Sequence, residues 1–485
     1  MKRREFLRFG SCGLAAVTFG TVSLPSFLRT GRAHAASPSG ALPLTLIEAN
    51  AEMVDGTLVY SWAFDGPAGP RIPGPLLLAT EGERIRLEVR NEIPNGGDHG
   101  FAVPGVVDSG PIPHGATVPV EFTAPEAGTY LYFDPFNAPV NRVMGLHGVL
   151  LVTPSAVGSD TPYSRPTPNV QRLFDDLGSP GWSSGRGTNH FPGHPWDPDR
   201  TWIWLFHTVD PDKNALLDPE RPGSVPFLSA SEYQQGYLPR YFTLNGKSGY
   251  FAAGHHPDDD EHAYTGPLAD YDLQRDIAPF GNVGQPALIR TVNAGLATHS
   301  LHPHGNHYYL LAENGTVRDN LWWVDTWTLA PLDRKDLLLP FIRPPEIPVW
   351  PPVDELFPLQ YTMHCHTEMS QTAAGGNYPQ GAVTHWQIDG DVTPDDAVIL
   401  VDRAEIRVRS GRLLLEGRCS TAGIVLDLHP GDGSAPALAE FPVGADGRWR
   451  VQGRALPFLS SRTATVMFHE GDVVRATRTV PLQLR

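Results

Sequence analysis

The stretch "GERIRLEVRNEIP" places Ile85, Leu87 and Val89 at every second position, with charged side chains between them. That period of two fits a strand with one buried face and excludes an amphipathic helix over the same residues. The pattern recurs in "VPVEFTAPEAGTYLYF", where two alternating runs flank a Pro-Glu-Ala-Gly turn, and "GLHGVLLVTP" closes the unit. The 49 Gly and 48 Pro follow no regular spacing, so they read as turns between short strands rather than as a collagen-like or disordered chain. The expected fold class is all-β, and the first unit is a β-sandwich over residues 36–155.

Residues 156–200 are rich in Pro, Gly, Ser, Asp and Trp and read as a long aperiodic connection over the surface. A second strand series, residues 201–390, runs from "RTWIWLFHTV" through "ALIRTVNAGLATHSLHPHGNHYYLL" to "GAVTHWQI". Both units have a strand closing on Asn, at Asn91 and Asn293, which is a faint internal repeat. From 391 to 485 the segments "AEIRVRSGRLLLEG", "GIVLDLHP" and "ADGRWRVQG" predict a separate immunoglobulin-like β-sandwich without chemistry-bearing clusters.

Arg3 and Arg4 precede Phe6 and Leu7, and Ala33-His34-Ala35 supplies small residues for cleavage. Residues 1–35 therefore read as a twin-arginine export signal, and the mature chain is expected in the periplasm or outside the cell, with no integral membrane segment after cleavage. Removing that segment, with six basic and one acidic side chain, leaves 31 basic against 52 acidic groups, a net charge of about −21. Such a surface repels phosphate backbones, so no nucleic-acid partner is expected. Only Cys365 and Cys419 then remain, too few and too far apart for a disulfide scaffold.

Two segments concentrate histidine: His299, His302, His304 and His307 in one, His364 and His366 around Cys365 in the other. If both are strands, His302 and His304 share a face of the first and His364 and His366 a face of the second, with His299 and Cys365 each on the opposite side of its strand; laid side by side, the strands sort these groups. Four imidazoles then converge on one side and a thiolate meets an imidazole on the other. Imidazole suits copper, zinc and iron, and a thiolate beside a histidine favours a blue-copper type of site. The residues Asp210 to Asp218 have acidic spacing like a calcium loop but lack its glycine and closing glutamate, and are set aside. His255, His256 and His262 read as part of a solvated polar loop.

"HSLHPH" and "MHCH" resemble the paired histidine segments of multicopper oxidases, the laccase and cupredoxin-repeat family, and the likeness spans roughly residues 40–390. It is most similar to the two-domain members and implies two cupredoxin-like domains, copper as cofactor, and assembly as a homotrimer. The resemblance assigns His299 and Cys365 to the electron-accepting type 1 copper, His302 to type 2, and His304, His364 and His366 to the type 3 pair. Several positions depart from the pattern. Ser370 stands where the second type 1 histidine is expected and Ala382 where the axial ligand is, with Met369 a neighbouring soft group. The first domain has Ala102, Pro104, Phe133 and Pro135 at its four ligand positions, while His99, His114 and His147 are off register. Two-domain nitrite reductases keep their type 1 site in the first domain, and "YFDPFNAPVNRVMG" has no cysteine.

The expected function is an exported copper-binding oxidoreductase with a reduced copper site, its partner a small-molecule reductant. The alternative is a catalytically inactive envelope scaffold with no substrate. Copper storage ranks last, since the chain has only 6 Met. Tyr308, Tyr309, Trp322, Trp323 and Trp386 are candidates to line a cleft, although aromatic residues in sandwich cores are commoner.

Overall fold

The computed structural model describes residues 41–484 apart from 96, 156–159, 178–194, 254–267, 345–355, 391–398, 420, 422, 446, 460 and 471–472. The export-signal reading of residues 1–35 and the loop holding His255, His256 and His262 lie outside the described residues. The rest is all-β, built as three two-sheet units.

In the first unit, strand Arg84–Asn91 alternates exposed and buried at every position, with Ile85, Leu87 and Val89 inward. It runs parallel to Leu42–Glu52 and antiparallel to Thr117–Thr123, within a five-stranded sheet. A second five-stranded sheet includes Leu77–Thr80, His147–Thr153 and Gly128–Phe133. Trp62, Phe64, Leu87, Phe101, Tyr132 and Leu150 fill the space between the sheets.

The second unit repeats this plan. Strand Ala287–Asn293 runs parallel to Thr201–Val209, as Arg84–Asn91 does to Leu42–Glu52. The two strand-ending asparagines do the same job. Asn91 Oδ1 accepts the Ile93 amide and Asn293 Oδ1 accepts the Gly295 amide, each at 2.9 Å, so each side chain turns the chain out of its strand.

Thr201–Val209 belongs to a six-stranded sheet and is buried at all nine positions. The reason is cover on both faces. Leu76, Leu131, Val149 and Leu151 of the first unit join the same core as Trp204, Phe206, Leu337 and Met363 of the second. A strand covered on both sides needs an unbroken apolar run, as "WIWLF" supplies. The partner five-stranded sheet holds Val383–Ile388, Leu359–Cys365, His299–Pro303 and Trp327–Leu329 in that order, and its outer side carries exposed Gln360, Thr362, His304 and His366.

The connection after residue 155 departs from expectation. Pro168–Leu177 is a helix with Val170, Leu173, Phe174 and Leu177 buried beside Tyr163 and Trp196. Those four residues have helical spacing, so the segment was periodic after all; its Pro- and Gly-rich flanks hide a ten-residue pattern.

Asp210 also has a definite role. It caps the helix Pro211–Ala215, accepting the Asp212 amide at 3.0 Å and the Lys213 amide at 3.1 Å, and takes the Leu238 amide at 2.7 Å. Asp210→Ala is expected to lower stability by about 1–2 kcal/mol, read as a lower denaturant midpoint at unchanged slope.

The C-terminal unit packs two four-stranded sheets around Val401, Leu415, Leu428, Trp449 and Val466. It is tied to the connecting segment by Arg418 with Asp160 at 3.2 Å and by Arg478 with Asp197 at 2.8 Å. Among the described residues no helix is long and apolar enough to cross a membrane.

Candidate metal centre

Strands His299–Pro303 and Leu359–Cys365 pair antiparallel, with Leu301 opposite Cys365 and His302 opposite His364. Alternation then puts His302, His304, His364 and His366 on the outer face and Leu301, Met363 and Cys365 in the core. Ring centroids are 5.0 Å apart for His302 and His304, 5.7 Å for His302 and His364, 4.8 Å for His302 and His366, and 4.9 Å for His364 and His366. The four rings lie together on an open face rather than in a closed pocket, with His304 and His366 exposed.

Two of the donor atoms, on His304 and His364, stand at a spacing that fits a metal, while no three donors of the four rings lie within 4.8 Å of one another. His302 Nδ1 lies 2.7 Å from the Asp325 carbonyl, which can only accept, so Nδ1 carries the proton and Nε2 keeps its lone pair. A backbone acceptor on the far nitrogen is the usual way a metal-binding imidazole is oriented. The Nε2 atoms of His304 and His364 are 3.1 Å apart. Two nitrogens held at about 2.0–2.1 Å from one ion stand roughly 2.9–3.4 Å apart. Burial, reinforced by the neighbouring rings, holds His304 and His364 below the ordinary imidazole pKa, which favours the neutral form a metal needs.

On the inner side, His299 is fully buried and neither ring nitrogen has a partner. Its ring packs on Phe206 at 5.1 Å, and burial pushes its pKa down to about 4. A buried imidazole with two unsatisfied nitrogens is costly, and an ion is one recognised explanation. Cys365 is also fully buried, and its Sγ accepts the Ser300 amide at 3.3 Å. Ser370 is buried and donates its hydroxyl to the Thr367 carbonyl, Ala382 is buried, and Met369 is 45% exposed. The thiol and His299 therefore have no third soft or imidazole group from these three positions.

Other residues singled out in the sequence have different surroundings. His307 stacks on Trp323 with centroids 5.4 Å apart and Trp322 is exposed, whereas Tyr308 and Trp386 are core residues. His99 is buried and paired with Asp134 at 2.7 Å.

Sequence reasoning missed His207, which lies in the apolar run of strand Thr201–Val209. Its ring is 4.5 Å from that of His147, at the boundary between the first two units. His147 Nδ1 donates to the Arg142 carbonyl at 2.8 Å and His207 Nε2 to the Val143 carbonyl at 2.9 Å. Burial pushes His147 down to about 4 and His207 well below the ordinary imidazole value, with His147 adding to the effect on His207. The unfolded chain takes up these protons near pH 6.5 and the folded chain does not, so stability is full above that pH and falls as the pH drops towards 4. The His147 contribution alone is about 3 kcal/mol. His147→Gln should flatten this acid limb in urea titrations of the metal-free chain between pH 7 and 4.

Comparison with known proteins bears first on the domain that holds no histidine at its ligand positions. Residues 48–157 match the sequence profile described as multicopper oxidase. The likeness is confined to that first unit. The matched segment folds as a β-sandwich, while Ala102, Pro104, Phe133 and Pro135 occupy the positions expected to hold metal ligands. No curated protein sequence matches the chain. Among solved structures, a blue copper oxidase from Nitrosomonas europaea is 18% identical over 71% of this chain and 85% of its own, with a TM-score of 0.48. The multicopper oxidase mgLAC is 22% identical over 72% of this chain and 85% of its own, at 0.45. A copper nitrite reductase from Nitrosomonas europaea is 18% identical over 71% of this chain and 92% of its own, at 0.43. Copper is the metal named in the profile that residues 48–157 resemble.

Proposed function

We propose that the chain is an exported copper-binding oxidoreductase whose metal centre is reduced relative to a three-copper cluster. The observation that carries this reading is the outer face of the five-stranded sheet, where His302, His304, His364 and His366 stand together and His302 is locked with Nε2 free. Copper, when bound, supplies one-electron redox chemistry. The four imidazoles would hold it, and Cys365 with His299 would form a thiolate site two ligands short of the family pattern, with Ser370 and Ala382 at the missing positions. The Cys365 backbone joins that thiol to His364 and His366 directly, a short covalent path for an electron.

The electron donor is a small-molecule reductant, and the open face leaves room for a second copy of the chain in a homotrimer. Copper-loaded protein should oxidise a one-electron phenolic donor at a rate proportional to its copper content, and Cys365→Ser should abolish turnover while leaving copper on the outer face. Turnover unaffected by Cys365→Ser would sink the assigned role of the thiolate.

One observation favours a second reading, an inactive scaffold. In the first domain His99 and Asp134 form a buried pair in the neighbourhood where the family keeps metal ligands. On that reading loaded protein retains copper weakly and turns nothing over.

A further inference from the structure

The C-terminal sandwich, read from sequence as free of chemistry, brings together the one set of three ligand atoms that lie within 4.8 Å of one another among the described residues: Asp427, His429 and His469. We propose that these residues form a second metal site, for a divalent first-row ion of the zinc type, independent of the histidine face of the second domain.

The strands set it up. Val425–Pro430 pairs antiparallel with Thr463–Glu470, Asp427 facing Met467 and His429 facing Thr465. Alternation sends Leu426 and Leu428 into the core, so Asp427 and His429 share the outer face. His469, two residues past Met467, stands on that face on the far side of the carboxylate, just after an irregularity at Phe468 that re-aims the strand.

Each donor atom is prepared for a cation. His429 is 8% exposed, and its Nδ1 donates to the Ala435 carbonyl at 2.7 Å, which leaves the lone pair on Nε2. That Nε2 is buried and has no partner, and neither has His469 Nε2. The Ala435 carbonyl is brought over the ring by the turn at 431–434. There Gly433 has φ +89°, and a Cβ on it would meet the Met467 methyl.

His469 Nε2 and Asp427 Oδ2 are 3.6 Å apart, too far for a hydrogen bond. Two ligands at about 2.1 Å from a shared ion, opened to roughly 120°, have that separation. Two unpartnered imidazole nitrogens facing one carboxylate are expensive without an ion and well satisfied with one. Two imidazoles and a carboxylate leave further coordination positions for water, and the ligand set suits zinc, with copper(II) able to compete. Bound there, the ion would clamp the Val425–Pro430 strand to its neighbour.

The test uses the full chain with His302, His304, His364 and His366 all changed to Ala, so that the other face cannot contribute. Stripped with chelator, incubated with Zn2+ alone and desalted, this protein should hold one more equivalent of zinc than the same protein carrying His469→Ala. Asp427→Asn, which preserves shape, should lower retention in the same way, and circular dichroism checks that each variant is folded. With Co2+ in place of zinc, the visible absorption of a low-coordinate site should appear and be lost in both variants. Equal zinc content with and without His469→Ala and Asp427→Asn would overturn the proposal.

Discussion

Changing His302, His304, His364 and His366 together to Ala is expected to lower copper retention at the second domain by more than about 100-fold while leaving the chain folded. Loss of a group that merely supports a ligand already costs about 10–100-fold in metal affinity, and here the donors themselves are removed. The fold should survive because none of the four side chains is buried, and strand pairing at Leu301 with Cys365 and His302 with His364 runs through the backbone. Equilibrium dialysis against buffered Cu2+, before and after the change, measures the effect. Retention equal to that of the unchanged chain would move the copper elsewhere.

The second large effect is on stability. In the first domain His99 Nδ1 faces Asp134 Oδ2 at 2.7 Å, and His99 Nε2 faces Asn95 Oδ1 at 3.0 Å. Asn95 Oδ1 also accepts the Gly97 amide, so it is an acceptor and His99 Nε2 donates to it. Asp134 is the buried partner of the other ring nitrogen, Nδ1. Burial pushes the Asp134 carboxyl up, and the donors from His99, the Phe136 amide and Asn141 pull against that.

Asp134→Ala would leave His99 Nδ1, the Phe136 amide and Asn141 Nδ2 without their shared buried partner, which costs about 1–3 kcal/mol for each group left unsatisfied. The first thermal transition should fall by roughly 10 °C. Asp134→Asn, which keeps an acceptor but no charge, should fall less. Neither change should alter copper retention at the second domain. A transition unmoved by Asp134→Ala would contradict the role given to this buried hydrogen-bond cluster.

Alternation carried much of the fold. Ile85, Leu87 and Val89 mark a half-buried strand because one side of that sheet is solvent, and the same rule orders the faces of His302, His304, His364 and His366. It fails where both faces are covered, as in Thr201–Val209, and His207 went unnoticed there because no polar neighbour marks the side it faces. The helix at Pro168–Leu177 was hidden by flanks that are not part of it. Asp427, His429 and His469 could not be grouped in advance: their strands are 32 residues apart from Pro430 to Thr463, and only register brings them together. The exposed position of Met369 and the buried hydroxyl of Ser370 depend on a short 3-10 turn, Glu368–Gln371, that no periodicity announces.

Crystals of the full chain soaked in Cu2+ and measured at the copper absorption edge test the central claim most directly. An anomalous peak is expected on the outer face of the Leu359–Cys365 strand, about 2 Å from the Nε2 atoms of His304 and His364. Fully loaded crystals with no copper density at those rings would contradict it.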